Sequence, residues 1–184
     1  MKKWMILLLA MFMSLFIGCS KENKNYEDEI KEVTSNYKKD LVTVTKDDEE
    51  MKVVDNLIES DEASRADAYK KMEEYIEEKY KKYFSKDAYD KYLLKCSPNS
   101  IYRSYAKKTE STIEFKEIEF TNISEPKDGF VSVSCKVTFD IVDKDNKKDT
   151  ITENSEMVFS NEDGKWKINS ETIFLKDYMS IEPF

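Results

Sequence analysis

The spacing of hydrophobic and polar positions changes three times along the chain. From Trp4 to Ile17 every residue but Ser14 is apolar or small, and a strongly polar stretch, Ser20–Asn25, follows. Apolar residues then recur every three or four positions: Ile30, Val33, Tyr37 and Leu41, then Met51, Val54 and Ile58, then Ala68, Met72, Tyr75, Ile76, Tyr80 and Tyr83. That spacing lines one face of a helix. Beyond about Lys107 the period shortens to two, as in Val131, Val133, Cys135, Val137, Phe139 and Ile141, the alternation of a strand buried on one face.

Local signals divide these regions into elements. Residues 27–40 carry a single weak helical stripe. Thr45 followed by Asp48 resembles a capping box opening a short helix, and Ser64 with Asp67 repeats the signal before a longer one. Ser85-Lys86-Asp87 begins a helix ending near Leu94, and Ser97-Pro98 places a cap and a first-turn proline ahead of a helix from Asn99 to about Lys107. In the first strand Ile113 and Phe115 share one parity while Ile118 and Phe120 share the other, which predicts a bulge near Lys116-Glu117. Three strands follow at about 130–142, 149–160 and 165–174, separated by turns at Asp143–Lys148 and Asn161-Glu162-Asp163-Gly164. Helices first and a meander afterwards predict an α+β fold, with N-terminal helices packed on one face of a curved antiparallel four-stranded sheet. The expected division is a targeting segment over 1–18, a polar tether with a weak helix over 19–44, and one folded body over 45–184.

Lys2 and Lys3 ahead of the apolar run give the layout of a secretory signal, and the run is shorter than the roughly 20 residues a spanning helix needs. Leu15-Phe16-Ile17-Gly18-Cys19 resembles the lipobox of bacterial lipoproteins, with Phe16 where the pattern prefers Leu. The resemblance implies acylation of Cys19 and anchoring on the extracytoplasmic face of the cell membrane. Cys19 as a small hydrophobe ending an uncleaved anchor also leaves the remainder outside. Two acyl chains hold a protein firmly, at about 0.8 kcal/mol per buried methylene.

Composition narrows the chemistry further. After residue 18 the chain has 28 basic against 38 acidic side chains, so it carries about ten negative charges. Nothing in that balance favours nucleic acid, whose phosphates require a basic face. Histidine is absent, which excludes Ser-His-Asp and Cys-His catalysis and histidine-containing zinc sites. Three glycines, Gly18, Gly129 and Gly164, cannot build a Gly-rich phosphate loop. No catalytic, metal-binding or cofactor-binding residue is assigned. Asp140–Asn146 has calcium-ligand residue types but interposed lysines. Cys96, at a helix end, and Cys135, at an inward strand position, are read as free thiols in preference to a bridge.

The order of elements, together with Phe159-Ser160-Asn161-Glu162-Asp163-Gly164-Lys165-Trp166-Lys167-Ile168, resembles the cone-shaped domains of the nuclear-transport-factor-like and cystatin-like superfamily over roughly residues 64–176. Members include small lipoproteins of Gram-positive bacteria and the N-terminal domain of some resistance penicillin-binding proteins. The resemblance implies a non-enzymatic module of the cell envelope that docks on an envelope protein partner. A pocket domain for a small apolar ligand, or an isomerase-like enzyme of the same fold, is the alternative. For docking, Tyr102, Arg103 and Tyr105 form the candidate cluster, because Tyr and Arg are favoured in binding hot spots. Set against this, Tyr102 and Tyr105 line the core while Arg103 is solvated. Trp166 is read as core, and Ser155 as the polar residue facing the cone interior, held by a backbone partner or available to a ligand.

Alternation along 131–141 points Phe139 inward and Thr138 and Asp140 outward. Phe139→Ala should therefore cost about 3 to 5 kcal/mol, and Thr138→Ala about 0.5 kcal/mol. Urea titration of both variants checks this, and equal midpoints would refute the strand phase.

Overall fold

The computed structural model describes residues 25–94 and 99–174. Helices α1 (Asn25–Val42), α2 (Glu49–Glu59), α3 (Arg65–Tyr80), α4 (Lys86–Leu94) and α5 (Asn99–Thr109) precede strands β1 (Thr112–Ile123), β2 (Phe130–Val142), β3 (Lys148–Glu162) and β4 (Lys165–Phe174). The strands form one antiparallel sheet in the order β1-β2-β3-β4. Its inner face carries Val131, Val133, Val137, Phe139, Met157, Phe159 and Ile168, all buried against the helices. The α+β class, the four strands and the inward position of Phe139 agree with the period-2 reading. Cys19, Cys96 and Ser97-Pro98 lie outside the described residues.

Helix α1 is where the expected organisation needs correcting. Its face of Ile30, Thr34, Tyr37, Lys38 and Leu41 is fully buried, and Val42 and Val44 follow it into the core. Acids at Glu27 and Asp28 and a base at Lys39 suit its dipole. Residues 25–44 of the stretch read as a tether thus belong to the folded body together with those from 45 onward. Its stripe reads as weak because Thr34 and Lys38 sit on the buried face.

Two helix starts also differ in detail. Asp48, not Thr45, caps α2, its Oδ1 accepting the Met51 N–H at 3.0 Å. Ser64 occupies the cap position of α3 without capping it, because its hydroxyl donates to Asp61. Ser85 caps α4 as expected, accepting the Ala88 N–H at 3.2 Å.

Bulges bend the sheet. The break between Phe115 and Glu117 falls where the parity change put it, and a second follows between Phe120 and Asn122. A third was not visible in the alternation: Phe159 pairs with Ile168 while Val158 pairs with Ser170, leaving Asn169 as an extra residue in β4. Before it Trp166 and Ile168 face inward; after it Glu171, opposite Met157, takes the inward parity. The β3–β4 turn uses Asp163 and Gly164 at φ 52° and 81°, the left-handed pair a two-residue hairpin requires.

Helix α1 lies lengthwise along the sheet. At its start Tyr26 packs on Trp166 with ring centroids 6.2 Å apart, and the Glu29 carboxylate accepts the Trp166 N–H at 3.0 Å. Beyond its end Val44 and Ile113 exchange backbone hydrogen bonds of 2.8 and 2.9 Å. One end of the body therefore holds the Ser124–Gly129 and Asp163-Gly164 turns, and the other holds the Asp143–Lys147 turn.

Asp140 is a second correction. Its parity is outward, yet it is only 2% exposed. Lys148 Nζ at 2.5 Å and Lys116 Nζ at 3.1 Å cover one carboxylate oxygen, and Thr150 donates to the other at 2.7 Å. Lys148 and Thr150, with Lys116, hold its pKa down at about 2.

Because α1 fills the centre of the core, a chain starting at residue 45 should not fold. Each of Ile30, Leu41 and Val42 contributes about 1.5 to 3 kcal/mol on burial, and with Tyr37 the loss matches the whole 5 to 15 kcal/mol stability typical of a domain. A chain starting at residue 25 should give sharp near-ultraviolet circular dichroism that the 45–184 chain lacks; native spectra from both would refute the assignment.

Candidate functional site

The inner face of the sheet holds charge under α1. Lys38 is fully buried, and its Nζ lies 2.6 Å from Glu171 Oε1. Tyr37 donates to Glu171 Oε2 at 2.5 Å and Ser155 donates to Oε1 at 3.1 Å. On β3, two residues from Ser155, Glu153 is 3% exposed and accepts a hydrogen bond from the Tyr102 hydroxyl at Oε1. Its Oε2, and the hydroxyl of Thr34 one helical turn before Lys38, are buried without a hydrogen-bond partner among the described residues.

Each member reaches the cluster for a local reason. Thr34 and Lys38 are four apart on α1 and share its inner face. Glu153 and Ser155 alternate with outward residues on β3, and Cys135 is the register partner of Ser155. Glu171 arrives only because Asn169 shifts the parity of β4.

One ammonium thus faces two carboxylates away from water. Burial pushes the Glu153 carboxyl above its ordinary value and Glu171 adds to the effect, while Lys38 and the Tyr102 hydroxyl oppose it. Burial likewise raises the Cys135 thiol to about 11, so it is an unreactive thiol at neutral pH.

The candidate docking cluster is taken apart by the fold. Tyr102 points into the core, edge-on to Phe139 at 5.8 Å, and donates to Glu153. Arg103 is neither solvated nor presented to a partner: it is 4% exposed and turns towards the end of α1. It donates to the Leu41 carbonyl at 3.0 Å and the Thr43 carbonyl at 3.3 Å. Its Nε lies 3.2 Å from both Asp48 and Glu50. Burial works against the guanidinium charge, but Glu50, Tyr80 and Asp48 outweigh it and raise its pKa. Tyr105 is half-buried against the core. Tyr102 and Tyr105 follow the core reading, and the three do not make a surface.

Ser155 faces inward as expected, although its partner is a carboxylate and not the backbone. Trp166 is core. Glu153, Glu171, Lys38 and Thr34 were missed by sequence reasoning, although Glu153 shares the inward parity of Ile151, Ser155 and Met157. The calcium reading of Asp140–Asn146 fails on chemistry, because lysines hold Asp140 while Asp143 Oδ1 accepts the N–H groups of Asp145 and Lys147. Among the described residues no cluster of three metal-ligating side chains occurs. A cleft of about 360 Å³ between α2 and α3, lined by Val53, Asn56, Ser64 and Lys71, lies apart from the polar cluster.

Glu153→Gln isolates the raised acid. Unfolded, Glu153 ionises near the ordinary 4.5; folded, it holds its proton to higher pH. As pH rises above about 4.5 the unfolded state of the wild type therefore gains by ionising, and wild-type stability should fall relative to the variant until the folded group also ionises. Denaturant titrations at about pH 4, 5.5 and 7 read the difference, and parallel curves would contradict it.

No protein-family model matches the chain, and no curated protein matches it. Similar solved structures include the intermembrane space region of chloroplast protein ARC6, at 12% identity and TM-score 0.28, with the match covering 40% of this chain and 63% of that one. Aln2 from a Streptomyces species is 17% identical at TM-score 0.31, covering 42% of this chain and 57% of its own. A putative calcium/calmodulin dependent protein kinase II association domain from Xanthomonas campestris is 17% identical at TM-score 0.29, covering 41% and 51%. The chain thus spans about half to two thirds of these proteins' lengths, and likeness at this level carries no argument about activity.

Proposed function

We propose that the protein is a lipoprotein anchored through Cys19 on the extracytoplasmic face of the cell membrane, its body a non-enzymatic interaction module of the envelope that docks on an envelope protein. The observation carrying the non-enzymatic part is the enclosure of the interior charges. Lys38, Glu153 and Ser155 are each at most 3% exposed, and Lys38, Ser155 and Tyr37 all engage Glu171. A group acting on a substrate has to reach it within hydrogen-bond distance, and α1 lies over these groups. The anchoring part rests on Leu15-Phe16-Ile17-Gly18-Cys19 behind its basic and apolar prelude. The nuclear-transport-factor-like resemblance to small Gram-positive lipoproteins points the same way.

The second reading, a pocket or isomerase-like site, draws on one observation: Glu153 combines a raised pKa with an unpartnered oxygen beside the Tyr102 hydroxyl, a combination common at functional acids. It requires α1 to move aside. Stoichiometric, saturable binding of a small apolar fluorophore to the folded protein, lost in Glu153→Gln, would favour it over the docking module.

Anchoring is tested in cells. Cys19→Ala should leave an unprocessed precursor and abolish labelling by a radiolabelled fatty acid. Labelling that persists, with the mature N-terminus elsewhere, would reject Cys19 as the anchor.

A further inference from the structure

Two turns at the same end of the body share one build. Asp128-Gly129 and Asp163-Gly164 are both left-handed pairs, at φ 54° and 81° and at φ 52° and 81°, as in a two-residue hairpin turn. All four residues are exposed. An aspartate followed by glycine carries a latent reaction, because glycine has no side chain to shield its nitrogen and that nitrogen can attack the aspartate's own carboxyl. Ring closure needs the peptide plane between the two residues to swing, so a bond to the glycine N–H restrains it.

The two planes differ in that bond. The Gly164 N–H donates to Asn161 Oδ1 at 3.0 Å. Pro126 holds the matching place, two residues before Asp128, and its side chain has no acceptor. The Gly129 N–H has no hydrogen-bond partner among the described residues. The frames differ as well. Asp163-Gly164 closes the continuous β3–β4 ladder at its Glu162–Lys165 pair. The β1–β2 ladder stops at Ile123–Val133, with Ser124 and Ser132 bonded just beyond it. Glu125 and Pro126 intervene, and Asp128-Gly129 closes only the isolated Lys127–Phe130 bridge, which opens more readily than a ladder. The Asn161 N–H holds the Gly129 carbonyl at 3.1 Å, but that carbonyl belongs to the next peptide plane and leaves the Asp128–Gly129 plane free to turn.

We propose that Asp128 is a site of spontaneous covalent modification, converting through a cyclic imide to isoaspartate well ahead of Asp163. In the protonated acid the lone pair of the Gly129 nitrogen forms a bond to Cγ of Asp128. The amide proton and the carboxyl hydroxyl leave as water, and a succinimide ring remains. Water then adds back. Opening the bond from nitrogen to Cγ restores aspartate, whereas opening the bond from nitrogen to the backbone carbonyl carbon routes the chain through Cβ and Cγ and frees the former backbone carbonyl as a carboxylate. The net change is an isomerisation, with mass unaltered and one more atom in the backbone of the turn. That atom shifts the Gly129 carbonyl away from the Asn161 N–H and so separates the two turns.

Ageing the purified full chain in mildly acidic buffer, followed by peptide mapping with an isoaspartyl methyltransferase as the label, reads both positions in one sample. Isoaspartate should accumulate at 128 several-fold faster than at 163. Asn161→Ala removes the side-chain acceptor but keeps the backbone N–H that holds Gly129, so it should raise the rate at 163 and leave 128 unchanged. Unfolding in urea should bring the two rates together, because the difference comes from the fold and not from the dipeptide. Equal rates in the folded chain, a faster rate at 163, no isoaspartate at 128, an unchanged rate at 163 in Asn161→Ala, or a difference that persists in urea would overturn the proposal.

Discussion

One guanidinium joins most of the helical layer. A helix ends with unsatisfied carbonyls, and at the end of α1 those of Leu41 and Thr43 are met by Arg103 from α5. The same group holds Asp48, the cap of α2, and Glu50 in the first turn of α2. Glu50 in turn accepts the Tyr80 hydroxyl at 3.0 Å and pairs with Lys79 at 3.2 Å, both on α3. Four helices therefore meet around Arg103 and its two carboxylates, and without it Asp48 would lose its cation while Glu50 kept Lys79 alone. Breaking such a cluster by removing one partner is far costlier than never having built it. The direction in which α1 enters the sheet follows from where its end is fastened.

That fastening sets up the unusual interior. With α1 pinned at Val44 by β1 and at Glu29 by β4, its inner face has no freedom to rotate Lys38 towards water. The ammonium takes Glu171 as its counterion, and Glu153 is left with a phenol hydroxyl in place of a cation. A buried ion pair adds little net stability over an apolar substitute, but it penalises every arrangement in which one partner is alone. The pair thus serves as a register device: sliding α1 by one turn along the sheet would part Lys38 from Glu171.

The sequence showed the sheet well and its contents poorly. Period-2 runs placed all four strands within a few residues, and the first bulge was legible because Ile113/Phe115 and Ile118/Phe120 change parity in apolar residues. The bulge at Asn169 has only an ambiguous marker, since Ser170, Glu171 and Thr172 are polar and the apolar pair that follows, Ile173 and Phe174, offers both parities. Helix α1 was undervalued for the same reason, a buried face carrying Thr34 and Lys38 looking like a tether. Arg103 could not be placed from its neighbours: its partners, Leu41, Thr43, Asp48 and Glu50, lie more than fifty residues earlier. Hydrophobic patterning reports where apolar surface is buried and is silent wherever polar groups are buried in pairs.

The extra residue in β4 makes the charge of the interior a matter of counting. Pairing Asn169 into the ladder instead of leaving it as the extra residue would restore plain alternation, turn Glu171 to the outer face, and bring Ser170 and Thr172 inward with no change in any side chain. Lys38 would then face hydroxyls in place of a carboxylate. Whether this one bulge forms therefore does what substitutions at several inner positions would be needed to do, deciding between a charged and a neutral interior while the strand order stays the same. In this strand the polarity of the interior is set by the position of a backbone irregularity, with the composition of the chain untouched.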